Sequence, residues 1–145
     1  MSINRLSVGP RIAGAVVHGD TVYLAGQVAA DASAGVKGQT EQILKKFDEL
    51  LAAAGSSKAK LLSATVWLAN MGSYDEMNAA WDAWVHPDGK PARATVEARL
   101  ANPKYLVEIA GIAASLTLGI RGRRRGNGAG GPEVPSRKVR AAPAS

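Results

Sequence analysis

Leu61-Leu62-Ser63-Ala64-Thr65-Val66-Trp67-Leu68 decides the architecture of this chain, because it reads as a strand without a polar side. Both sets of alternate positions, Leu61, Ser63, Thr65, Trp67 and Leu62, Ala64, Val66, Leu68, are largely apolar. A strand of that kind belongs inside a sheet covered on both faces. Upstream, Ile43, Phe47, Leu50, Leu51 and Ala54 form one apolar stripe at helical spacing across residues 40–54, and Gly55 supplies a left-handed stop. Downstream, a second helix is expected to begin at Ser73, where Ser73 and Glu76 have capping-box spacing; Tyr74, Met77, Trp81 and Trp84 form its apolar face and read as core.

Further out, residues 3–8 read as a first strand. Residues 15–18 and 21–27 flank Gly19-Asp20 as a hairpin, the glycine accepting the positive φ of a tight two-residue turn. Residues 92–99 and 106–114 read as two last strands joined through Asn102-Pro103 as a longer hairpin. The string is βββαβαββ, an α+β two-layer sandwich with a mixed sheet and two helices on one face. Two helices cover one side of a sheet, and the last strand is also apolar on both sides. The second face is therefore expected to meet another subunit in a closed symmetric oligomer.

The 145 residues suit one domain. The formal charge of +6 suggests nucleic acid until its distribution is examined: residues 1–118 carry 11 basic and 11 acidic side chains, and residues 119–145 carry seven basic ones against Glu133 alone. The expected division is a neutral folded domain over 1–118 and a disordered basic tail over 119–145, rich in Gly, Arg and Pro, which is the only segment suited to meeting RNA. With no cysteine, no secretory leader pattern and no span-length apolar run, the chain is expected to be cytoplasmic and without a membrane partner. His18 at the hairpin and His86 past a helix end have no ligand partners at metal spacing, and no glycine-rich phosphate loop lies between a strand and a helix, so neither metal nor cofactor is expected.

Two charges interrupt the last apolar strands, Arg93 in Pro91-Ala92-Arg93-Ala94-Thr95-Val96 and Glu108 in Leu106-Val107-Glu108-Ile109-Ala110. Burying either alone is costly, so each needs a partner, water or a ligand. A structural ion pair, a solvated edge and a functional site all remain open. In the hairpin register that sets Arg99 opposite Leu106, Glu108 faces Glu97 and Arg93 faces Ile112, which leaves the two charges roughly 13 Å apart. A site using both is then more easily built across a subunit boundary.

The segment from Pro91 through Arg99, followed by Val107-Glu108-Ile109, resembles the RidA/YjgF family. So do Ala25-Gly26-Gln27, Gln39-Thr40-Glu41-Gln42, Ala53-Ala54-Gly55 and Met77-Asn78-Ala79, in the same order. The resemblance covers residues 6–114. It implies a chorismate-mutase-like (YjgF-like) fold, a homotrimer with active clefts between subunits, and hydrolytic deamination of reactive enamines and imines such as 2-aminoacrylate to 2-keto acids and ammonia. It implies that Arg93 grips the substrate carboxylate, Glu108 handles water, Gly26 lets backbone approach the ligand and Asn78 lines the cleft. Three positions depart from the pattern. A pocket tyrosine is replaced at Arg11 or Ile12, a cysteine by Thr95 and a serine by Ala25. Arg11 and Thr95 thereby become candidate substrate contacts, and substrate identity is more open than reaction type. The competing readings are a non-catalytic module that binds small carboxylates through Arg93, and an RNA-directed activity.

Overall fold

The computed structural model describes residues 2–115; the expected tail lies outside them, as does the end of the expected domain. Strands β1 (Ile3–Val8), β2 (Ala13–His18) and β3 (Thr21–Gln27) lead into helix α1 (Val36–Ala53). Strand β4 (Leu61–Leu68), helix α2 (Tyr74–Trp84) and strands β5 (Ala92–Glu97) and β6 (Val107–Ala114) follow. The order is the expected βββαβαββ. All strands join one six-stranded sheet, ordered β1-β2-β3-β6-β4-β5. Every neighbouring pair is antiparallel except β4 and β5, which run parallel.

The register corrects one expectation: β5 and β6 do not form a hairpin. Strand β6 lies between β3 and β4, and β5 sits at the sheet edge beyond β4. Apolar content explains the exchange. Val107, Ile109 and Ala113 are fully buried, and a strand of that kind gains most from neighbours on both sides. Ala92, Ala94 and Val96 of β5 stay exposed. Helix α2 carries the chain from β4 back to the start of β5, which is how a parallel pair is connected.

The expected turn at Gly19 is present, with φ of 60°. At the end of α1, Gly55 has φ of 73°, its N–H donating to Ala52 and that of Ser56 to Leu51, the paired closure of a glycine-terminated helix. The expected capping box at Ser73 does not form: its side chain makes no cap bond. A short 3₁₀ turn, Met71–Ser73, precedes the helix instead, and Asn70 accepts from the Gly72 N–H at 2.8 Å. In β4 an irregularity between Leu61 and Ser63 breaks the strict alternation. Leu61 is consequently buried with Ala64, Val66 and Leu68, and Leu62 is 55% exposed.

The covered face of the sheet packs Val22, Leu24, Val66, Leu68 and Ile109 against Ile43, Phe47 and Leu51 of α1 and Met77 and Trp81 of α2. Gly111 has no side chain where Phe47 crosses; an added Cβ would stand 3.2 Å from that ring. On the other face Tyr23, Leu62, Val96 and Ile112 remain 37 to 55% exposed.

Helix α1 starts at Val36, four residues before the expected start at residue 40, and its first turn holds Gln39, which is used as a tie. Its buried amide donates to the carbonyls of Ala32, Ala34 and Lys104 at 3.0 to 3.2 Å and accepts from the Leu106 N–H at 3.0 Å. Gln42, one turn on, exchanges two bonds with the backbone of Asp31. Gln39→Leu would strand the Leu106 donor and three carbonyls. It should lower unfolding free energy by at least about 2 kcal/mol, whereas exposed Glu41→Ala should stay within about 0.5 kcal/mol, both read by denaturant titration.

Candidate functional site

Arg93 is the fixed point from which the site is built. In the parallel register it lies beside Ala64, so it points to the helix-covered side of β5. There α2 presents three side chains to it. Nη1 donates to the Met77 sulfur at 3.8 Å and Nη2 to the Tyr74 hydroxyl at 3.4 Å, and the guanidinium carbon stands 5.0 Å from the centre of the Trp81 ring. No carboxylate pairs with Arg93 among the described residues. The charge is held by π faces and a thioether, which removes the structural ion pair from the readings open in the sequence. On this edge strand Arg93 is half-buried, not fully solvated.

Glu108 is held differently. It lies opposite Trp67 on β4, and its carboxylate leans on Gly26, where an added Cβ would be 3.1 Å from the carboxyl carbon. The irregularity of β3 between Leu24 and Gln27 brings Gly26 to that position. Glu108 shares its face with Ala110 and half-exposed Ile112, the face that the helices leave open.

Arg93 and Glu108 are therefore on opposite faces of one sheet. They are two strands apart, one in the row of Ala64 and Gly111 and the other in the row of Trp67 and Val96. Three residues along and two strands across amount to roughly 14 Å between backbones. Although β5 and β6 are not hairpin partners, one copy of the chain does not bring the two charges together.

The remaining candidates divide between the two halves. Asn78 is half-buried on α2, one turn after Tyr74, which places it on the side of the helix that borders Arg93. Thr95 follows Arg93 on the same side of β5, but its hydroxyl oxygen is sealed from solvent and has no hydrogen-bond partner. Gly26 belongs with Glu108, and it also lines a cavity of about 440 Å³ with Ser7, Ile12, Lys46 and Leu50. Arg11 is exposed in the turn between β1 and β2; its neighbour Ile12 lines that cavity and Arg11 does not. Two larger hollows, around Ala30–Ser33 and around Glu97–Tyr105, contain none of these residues. Among the described residues no group of three or more His, Asp or Glu is placed to hold a metal, and no helix is long and apolar enough to cross a membrane.

Tyr74 and Trp81 were legible as an apolar stripe but not as neighbours of Arg93. Their spacing showed a buried helix face, and only the parallel return of β5 sets that face against the arginine.

The endoribonuclease L-PSP family model matches residues 3–115, the whole sheet and both helices. The chain belongs to this family. It is the RidA/YjgF family that the segment around Arg93 resembles, and its members have the α+β fold seen here. A RutC family protein of Haemophilus ducreyi is 47% identical over 107 residues, which cover 74% of this chain and 92% of that protein. The RutC family protein YoaB of Escherichia coli is 41% identical over 79% of this chain and 99% of its own length. Among solved structures, a YjgF family member from Neisseria meningitidis superposes with a TM-score of 0.77 at 42% identity, covering 79% of this chain and 96% of that one.

Thr95 gives a test of the local packing. A sealed hydroxyl without a partner is costly, and valine has nearly its shape. Thr95→Val should raise unfolding free energy by about 1 kcal/mol, seen as a higher denaturant midpoint at unchanged slope.

Proposed function

We propose that this member of the family hydrolyses enamine and imine intermediates derived from amino acids, releasing a 2-keto acid and ammonia, at a site completed by a second copy of the chain. The observation that carries the reading is the state of Arg93: a half-buried guanidinium, oriented by aromatic rings and unopposed by any acid among the described residues. Such a group matches a small carboxylate, which it grips through two parallel N–H bonds.

The chemistry asks little else of the protein. The enamine takes a proton on carbon and becomes an iminium; water adds to the C=N carbon while Glu108 removes its proton. The same carboxyl then returns that proton to nitrogen, and as the carbinolamine hydroxyl gives its proton back to Glu108 the C–N bond breaks, releasing ammonia and leaving a ketone; Glu108 loses the proton to solvent, which replaces the one the enamine took up on carbon. Arg93 fixes where the C=N carbon lies relative to Glu108, which is the larger part of the catalysis. Because Glu108 and Arg93 face opposite sides of one sheet, Glu108 of one copy and Arg93 of the next would form each site. A ring of three copies satisfies that arrangement with identical contacts. The apolar residues on the open face, Tyr23, Leu62, Val96 and Ile112, support such packing. Asn78 and Gly26 would line the cleft from the two sides, and the substrate is the only other partner required. The charge balance of residues 1–118 favours this reading over action on RNA.

Arg93→Ala should lower kcat/KM by roughly 10²-fold or more, measured as keto-acid release when a dehydratase supplies 2-aminoacrylate from serine. Release no faster than without the protein would refute the reading; carboxylate binding that depends on Arg93 but comes without turnover would mark a binding module instead. Sedimentation as a stable monomer would refute the shared site. Gly26→Ala should keep the fold yet push the Glu108 carboxylate aside, lowering kcat by roughly tenfold in the same assay.

A further inference from the structure

Resting on the reading of Arg93 as an anion seat, we infer that α2 supplies two more parts of that seat: Tyr74, whose hydroxyl contacts the guest carboxylate, and Trp81, whose ring face positions the guanidinium. Three observations carry it. First, an arginine has five N–H bonds, and two of those of Arg93 are engaged, one with the Met77 sulfur and one with the Tyr74 oxygen. Three remain, enough for a fork on a carboxylate. Second, the Tyr74 oxygen receives a bond from Arg93, and its own proton has no acceptor among the described residues. Tyr74 is 40% exposed beside the guanidinium, so that proton can turn toward a carboxylate held there. Third, Trp81 is 7% exposed and lies across the guanidinium at 5.0 Å. Met77, fully buried, backs the guanidinium from the same helix.

The division of labour follows from exposure. Tyr74 adds a third donor to a guest already held by two, and the hydrogen bond is strong because its acceptor is charged. Trp81 touches no guest; it keeps the guanidinium plane in one orientation, which a flexible side chain would otherwise lose on each binding event. Together they make a seat selective for a carboxylate over its neutral amide.

The test uses the full chain, with 2-oxobutanoate as probe and 2-oxobutanamide as neutral control, in calorimetric titrations and steady-state kinetics. Tyr74→Phe should raise the Kd of 2-oxobutanoate and the substrate KM about tenfold while kcat stays within about twofold; weak binding of the amide and the melting temperature should not change. Trp81→Leu should weaken 2-oxobutanoate in the same way, and Trp81→Phe, which keeps a ring face, should recover most of the loss. Wild-type Kd and KM in Tyr74→Phe would overturn the role of the phenol, and equal loss in Trp81→Phe and Trp81→Leu that of the ring. A wild-type protein that ignores 2-oxobutanoate, or an Arg93→Ala variant that binds it normally, would overturn the anion seat itself.

Discussion

A single buried amide, that of Gln39, holds the parts of this molecule that matter for its site. An unpaired amide in that position would cost more than most single interactions contribute. Both of its ends are used, on the loop before α1 and on the loop that leads into β6. The bond to Leu106 fixes where β6 begins, and Glu108 follows two residues later in a register shared with Trp67. The position of a candidate catalytic carboxylate is thus set from the helix layer, through a polar contact inside an otherwise apolar core.

Much of this was legible in the sequence, for identifiable reasons. The limits of β4 follow from its largely apolar run, and Gly19 and Gly55 mark places where only a residue without a side chain adopts the required φ comfortably. Arg93 and Glu108 stood out because a charge inside an apolar strand needs a reason. The pairing of strands was harder to read. Adjacency along the chain suggested a hairpin, whereas strand order depends on how much apolar surface each strand brings, and β6 brings more than β5. The displaced side of Leu62 and the silent cap at Ser73 depend on local backbone irregularities that residue type does not encode.

The separation of the two charges also changes what the site means. Arg93 and Gly26-supported Glu108 each have a local environment that a single chain completes: rings and sulfur for one, a bare backbone for the other. Each half is shaped by folding, and their meeting would be shaped by association. Conditions that dissociate such an assembly would silence it while every residue of the site kept its native neighbours.

Among the described residues Arg93 has no acid to answer it, and this has a practical side. A cation left without its own counter-ion is filled by whatever the surroundings offer, so chloride, phosphate or acetate from the medium would sit where a guest must land. Apparent affinity would then depend on which salt is present, and not only on how much of it there is.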